Sequence, residues 1–91
     1  MTSTTAQTNA LTINTILRMR AVLDARGIEK SQQYLDVQNG LFTPPIKLGV
    51  KAIGWPQNEV AALNAARIAG KSNDQIRSLV QHLVAARAAL A

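Results

Sequence analysis

Hydrophobic residues recur at helical spacing over most of the 91-residue chain and indicate four helices. Three of these helices are followed by glycine, at Gly27, Gly40 and Gly70, a residue that readily takes the left-handed conformation that closes a helix. Ser72 has the right chemistry to cap the N-terminus of the fourth. The predicted helices lie within residues 15–28, 29–40, 56–70 and 71–91.

The segment between the second and third predicted helices, LFTPPIKLGVKAIGW, has a different pattern. Pro44 and Pro45 lack backbone donors and hold the preceding residue out of the helical region, so this segment is not a helix. Apolar and β-branched residues around a glycine then predict a two-stranded ribbon that carries Lys47 and Lys51. The expected fold is mainly α with a small β-hairpin, in the order helix, turn, helix, ribbon, helix, helix.

The last predicted helix has an apolar seam at heptad spacing, formed by Ile76, Leu79, Leu83 and Leu90. This helix either folds back on its own domain or docks onto a neighbouring copy. We favour docking onto a neighbouring copy, or use of the seam in both ways, because the preceding segments already have enough apolar residues for a core of their own. In that predicted core Trp55 packs with Leu17, Val22, Leu23, Ile46, Leu48, Ile53, Val60 and Leu63.

The charge of the chain points to a polyanionic partner. Ten Lys and Arg residues against five Asp and Glu residues give a net charge of +5, and the sequence pI is about 10.5. Nucleic acid is the first partner that such a balance suggests, and an anionic membrane surface is the second. The absence of cysteine excludes disulfides and fits a reducing compartment. Residues 1–14 are uncharged, polar and unlike a signal peptide, so we expect a flexible tail on a cytoplasmic, nucleoid-associated protein without a membrane segment.

No catalytic residues are evident in this sequence. His82 is the single histidine and has no cysteine or carboxylate cluster beside it, so a metal site or a catalytic base is not expected. The sequence also has no nucleophile–base pair, no paired carboxylates and no glycine-rich phosphate loop. We therefore expect no enzyme activity, no cofactor and no small-molecule substrate.

The motifs of the first three predicted helices and the ribbon resemble the AlpA family of phage and mobile-element regulators. The resemblance covers residues 16–70, and its most specific residues are Lys47-Leu48-Gly49, Ala52, Gly54-Trp55 and Glu59-Val60. It implies a winged helix-turn-helix related to the MerR-type fold, followed here by an extra C-terminal helix. The expected division is a tail at residues 1–14, a DNA-binding domain at 15–70 and a C-terminal helix at 71–91.

The resemblance also assigns roles to individual side chains. Contacts with DNA are expected from the front of the second helix, from the wing and from arginines of the first helix, namely Lys30, Ser31, Gln32, Gln33 and Tyr34, then Lys47 and Lys51, then Arg18, Arg20 and Arg26. The Tyr34 ring is expected to be buried, with only its hydroxyl exposed. The chain departs from the family pattern at Glu29, which takes the place of the usual serine cap, and at Gln33 and Asp36, where the family has core residues. Glu29 and Asp36 would repel phosphates if they faced them.

Two functions of different classes follow from these observations. The first is sequence-specific binding of double-stranded DNA in a phage or integrative element, as an excisionase that directs a tyrosine integrase, as a transcriptional regulator, or as both. Self-association on the DNA would accompany it. The alternative is a protein-interaction adaptor whose cationic surface is incidental. Acidic residues in the second helix, such as Asp36, favour the adaptor, because a carboxylate that faced phosphate would repel it.

Overall fold

The structure is a computed structural model that describes residues 14–90, and the side chains of residues 14–89. The predicted tail therefore lies outside the described residues except for Asn14. Three strands and four helices follow in the order β1 (Ile16–Arg18), α1 (Met19–Arg26), α2 (Lys30–Gln38), β2 (Ile46–Lys47), β3 (Ile53–Pro56), α3 (Gln57–Ile68) and α4 (Asn73–Arg87), and a 3-10 turn at Ala88–Leu90 ends the described chain. This is a winged helix-turn-helix with an added C-terminal helix, as predicted.

The turn between α1 and α2 is made by glycine, as the sequence predicts. Gly27 has φ of 68°, a left-handed conformation that strains residues with a side chain. Its N–H donates to the carbonyl of Leu23 at 2.8 Å, which satisfies one of the free carbonyls at the end of α1. The chain reverses here, so that α2 begins only four residues after α1 ends.

The wing belongs to a three-stranded antiparallel sheet with the order β1-β3-β2. In this sheet Leu17 lies opposite Trp55, and Lys47 lies opposite Ile53. The strand β1 corrects the sequence prediction, which placed these residues in the first helix. Three apolar or long side chains fit a helix or a strand equally well, and it is the pairing with β3 that makes them extended.

The core lies between the sheet and the helices α1, α3 and α4. Its buried apolar residues are Val22, Phe42, Trp55, Val60, Leu63, Ala66, Ile76 and Val80. The prediction that Trp55 closes the core is confirmed: the ring is fully buried, and its Nε1 donates to the carbonyl of Thr43 at 2.7 Å. Phe42 meets the Trp55 ring edge to face at 6.1 Å and was missed. The prediction was wrong for Leu48, which is exposed on the wing.

The C-terminal helix packs inside this domain, which is one of the two arrangements that its sequence allowed, and its use in self-association stays a prediction. Ile76 is 1% exposed, and Leu79 and Leu83 pack against the core; the side chain of Leu90 lies outside the described residues. Ser72 caps α4 through a reciprocal pair of hydrogen bonds with Gln75, as its position predicts. The seam points inward because Ile76 and Val80 belong to the hydrophobic core, where their apolar surface is removed from water.

An arginine anchors the far end of α4. Arg87 donates through Nε and Nη2 to the two carboxylate oxygens of Glu59, at 2.8 and 2.7 Å, and also to the carbonyl of Pro44 at 2.7 Å. Glu59 is buried, with a side chain only 2% exposed, and lies in the first turn of α3. A paired guanidinium is the geometry that a buried carboxylate requires. None of the described helices has the length and apolar character that crossing a membrane requires.

Candidate nucleic-acid interface

Five cations line one open cleft between the start of α1, the start of α2 and the wing. They are Arg18, Arg20, Lys30, Lys47 and Lys51, and we refer to this surface as the cationic cleft. Tyr34 and the wing tip complete its walls, and among the described residues no Asp or Glu lines it. Charges of one sign in a concave surface reinforce one another, so the cleft attracts anions. Cations separated by up to 33 residues in sequence meet here only because the wing folds beside α2.

The wing holds its two lysines on either side of a tight turn. Lys47 ends β2, and Lys51 lies just before β3. The N–H of Leu48 donates to the carbonyl of Ala52 at 2.8 Å and closes the turn. Val50 at the tip is fully exposed. Both predicted wing residues therefore project from a hydrogen-bonded hairpin into the cationic cleft.

The arginines of the cleft are placed by the junction of β1 and α1. Arg18 ends the strand, and its Nε donates to the carbonyl of Ile53 at 3.2 Å, which ties this side chain to the base of the wing. Arg20 is exposed in the first turn of α1. Lys30, the first residue of α2, faces them across the cleft. The arrangement brings together Arg18 and Arg20, two of the three arginines that were predicted to contact DNA.

Tyr34 differs from its prediction. Its side chain is 47% exposed, so the ring itself, and not only the hydroxyl, lies at the surface. It stands one turn after Lys30 on α2 and lines the same cleft. A tyrosine in this position offers an apolar ring face and a hydroxyl donor to whatever enters the cleft.

Two residues predicted to contact DNA are buried in a polar network between α1 and α2. Arg26 donates from Nη2 to Asp36 at 2.8 Å and from Nη1 to Gln33 at 2.5 Å. Gln33 is fully buried, and the side chains of Arg26 and Asp36 are only 8% and 7% exposed. The guanidinium also lies over the Phe42 ring, 4.4 Å from its centre. Gln33 and Arg26 therefore cannot reach a nucleic acid in this fold, and their predictions are corrected.

The same network explains two of the three departures from the family pattern; the third, Glu29, is exposed at the N-cap of α2 and makes no side-chain cap hydrogen bond. Gln33 and Asp36 take positions where apolar residues were expected, and one arginine from the preceding helix donates to a side-chain oxygen of each. Among the described residues, the buried Nε2 of Gln33 has no hydrogen-bond partner. Asp36 accepts a further hydrogen bond from Gln32 at 2.8 Å. Its charge is thus turned inward and compensated, so it does not oppose phosphates.

Gln32 lies on the side of α2 that faces away from the wing. Its exposed side chain lines a second open groove with Ile28, Asn64 and Ile68, outside the cationic cleft. The amide nitrogen of Gln32 donates a hydrogen bond to Asp36. The geometry therefore favours a DNA contact by Lys30 over the predicted contact of Gln32 with a base.

The outward stripe of α2 consists of Ser31, Leu35 and Gln38, which are all exposed. These residues follow at intervals of four and three and lie opposite the buried pair Gln33 and Asp36. Leu35 and Gln38 were missed by the sequence prediction, which took only the front of the helix. The signal that identifies them is the helical period, once Gln33 and Asp36 are known to face inward.

Within the described residues, no group of three His, Cys, Asp or Glu side chains converges to hold a metal ion. The polar side chains that line the cationic cleft are its five cations and the hydroxyl of Tyr34. Such a set binds oxyanions by charge and hydrogen bonding.

Comparison with known proteins gives a matching family and a similar phage protein. The family described as "Prophage CP4-57 regulatory protein (AlpA)" matches residues 15–67. The curated "Uncharacterized protein ORF88" of Enterobacteria phage P4 is 36% identical over 61 residues, which cover 67% of this chain and 69% of the phage protein. No solved structure matches the chain significantly. The family match runs from the residue before β1 into the last turn of α3 and so includes every element that forms the cationic cleft.

Proposed function

The chain belongs to the AlpA family of prophage regulatory proteins, and on this premise we propose that it binds double-stranded DNA through the cationic cleft and the outward side of α2. The observation that carries the proposal is the convergence of five cations, and no carboxylate among the described residues, on one cleft beside the second helix of a helix-turn-helix. A second helix of this kind enters the major groove in known motifs, and phosphate contacts set its position.

In the proposed complex α2 contacts the bases of the major groove, and the cationic cleft contacts the phosphates beside it. With α2 in the major groove, the strand of phosphates at its edge lies in the cationic cleft between α2 and the wing. Lys30 and Tyr34 meet this strand from the helix side, and Lys47 and Lys51 meet it from the wing side. Arg18 and Arg20 add contacts from the base of the cleft, where the hydrogen bond of Arg18 to β3 keeps its side chain in place.

The salt dependence of binding follows from the number of cations. If all five neutralise phosphates, the slope of log K against log salt is about −4.5, at about −0.9 for each phosphate. A duplex of the wrong sequence keeps most of this salt-dependent binding, because phosphate contacts are independent of sequence. Selectivity then depends on the residues of α2 that face the bases, with Ser31 among those predicted.

For the biological role we propose regulation of a phage or integrative element at the level of its DNA, in the cytoplasm at the nucleoid. The protein acts as an excisionase for a tyrosine integrase, as a transcriptional regulator of the element, or as both. As an excisionase the protein would bind short repeated sites and bend the duplex, at a cost that depends on the sequence that is bent. Because Ile76 is buried and Leu79 and Leu83 pack partly against the core, contacts between neighbouring copies would use the exposed remainder of α4 or other surfaces.

The test is selection of bound duplexes from a random pool, followed by titration of the recovered site over a range of salt concentrations. For the double variant Lys47→Ala/Lys51→Ala we expect the salt slope to fall by about 1.8, which is twice the value for one phosphate. Lys71→Ala removes an exposed lysine outside the cationic cleft and is the matched control, with a slope close to that of the wild type.

Each result distinguishes the candidate functions. A recovered site in tandem repeats supports the excisionase role, and a single or inverted site supports the regulator. If Lys71→Ala weakens binding as much as the wing variant, the cationic cleft is not the DNA surface. If no sequence is enriched and the wing lysines are dispensable for binding a protein partner, the adaptor becomes the first interpretation.

A further inference from the structure

Leu35 is an apolar side chain on the outside of a helix whose other exposed residues are polar or amphipathic. It is 48% exposed, whereas the next apolar residue of α2, Val37, is partly buried and packs against the hydrophobic core. Leu35 is flanked on the same stripe by Ser31, one turn earlier, and Gln38, one turn later. An exposed leucine in this position can contact a ligand directly, provided that the ligand presents an apolar group to the outward stripe of α2.

The cationic cleft identifies that ligand as DNA, if the proposed function holds. Lys30 and Tyr34, which line the cleft, lie on the flank of α2 next to this stripe. When the phosphate strand occupies the cleft, the stripe of Leu35 faces into the major groove. The methyl group on C5 of thymine is the apolar feature of base pairs in that groove.

We propose that Leu35 reads thymine by covering its 5-methyl group, and that it is a specificity-determining residue of the protein–DNA interface. This inference rests on the proposed function and assigns a chemical class to one position of the target. From Ser31 to Gln38 the helix rises about 10 Å, so the stripe spans roughly three base pairs. Ser31 and Gln38 offer hydrogen-bonding groups to the bases on either side, and Gln38 has the geometry to pair with adenine.

The test removes the methyl group from the DNA instead of altering the protein. Deoxyuridine replaces each thymidine of the selected site in turn, which deletes only the 5-methyl group and keeps base pairing. For the wild-type protein we expect binding to weaken about fourfold at one or two adjacent positions, the effect of burying one methyl group, and to be unchanged elsewhere.

The protein variants then show whether Leu35 is the partner of that methyl group. In Leu35→Ala we expect the penalty for deoxyuridine to fall below about 1.5-fold, because the side chain that covered the methyl group is absent. Leu35→Met keeps an apolar side chain of similar volume and retains the penalty in part. Ile68→Ala truncates an exposed apolar residue of α3, outside the stripe, and keeps the full penalty.

Three results overturn the inference. Deoxyuridine tolerated at every position shows that no methyl group is read. A penalty that stays fourfold in Leu35→Ala shows that another residue reads it. In both cases the proposed function stands, because sequence-selective binding is retained. A chain that selects no duplex at all overturns the proposed function and this inference with it.

Discussion

Removal of the Asp36 carboxylate distinguishes the buried network from an acidic residue that faces DNA. In the structure Asp36 is the counter-ion of Arg26, and both side chains are more than nine-tenths buried, at 7% and 8% exposure. Asp36→Ala leaves the guanidinium of Arg26 buried without its partner. Breaking a buried pair in this way destabilises a protein by about 3–5 kcal/mol. A chain of this length has a free energy of unfolding on the order of 5–14 kcal/mol, so the loss is a large fraction of the total.

Urea unfolding followed by Trp55 fluorescence measures this loss. Trp55 is the single tryptophan and is fully buried, so its emission reports on the core without a label. With an m-value of about 1.5 kcal/mol/M, a loss of about 3 kcal/mol lowers the urea midpoint by about 2 M. Asp24→Ala, which removes an exposed carboxylate from α1, is the control and should stay within about 0.5 kcal/mol of the wild type.

The double variant Arg26→Met/Asp36→Leu tests whether the loss comes from the unpaired charge. It leaves no charge buried, so it should be less destabilised than Asp36→Ala. Recovery is incomplete, because Gln33 loses the donor to its buried oxygen, and an unsatisfied group of this kind costs about 1–3 kcal/mol. Our reasoning is refuted if Asp36→Ala unfolds within about 1 kcal/mol of the wild type and binds DNA more tightly, because that is the behaviour of an exposed carboxylate near phosphates.

Three further predictions concern how the domain is held together. Arg87→Ala should lower the free energy of unfolding by about 3–5 kcal/mol in the same urea assay, since it leaves Glu59 buried and unpaired; a loss below about 1 kcal/mol would show that the pair is dispensable. Gly54→Ala should cost about 1–3 kcal/mol, because a Cβ there would meet Ile16 at 2.6 Å, and unchanged thermal unfolding would contradict that crowding. Deletion of residues 71–91 should abolish the cooperative unfolding transition measured by circular dichroism, because α4 supplies part of the core. A folded, monomeric product would instead support the prediction that residues 15–70 form a domain of their own.

Local chemistry explains the features that could be predicted from sequence. Gly27 ends α1 because its backbone accepts a positive φ, and two adjacent prolines exclude a helix before the wing. The placement of Lys47 and Lys51 on the wing could be predicted because both lie in the short segment that forms the ribbon. Each of these features depends on residues close together in the chain, so no knowledge of the folded partners is needed.

The tertiary structure decided which polar side chains are buried and which face of each helix is free. Gln33 and Asp36 look like surface residues in isolation, and only an arginine seven and ten residues earlier makes their burial favourable. Residues Ile16–Arg18 become a strand because β3, more than thirty residues later, offers a ladder of hydrogen bonds. The seam of α4 fits its own domain or a second copy equally well by periodicity. The sequence by itself determined where helices and turns can form, because those are local conformational preferences; the fold determined what each surface contacts, because burial depends on elements far apart in the chain.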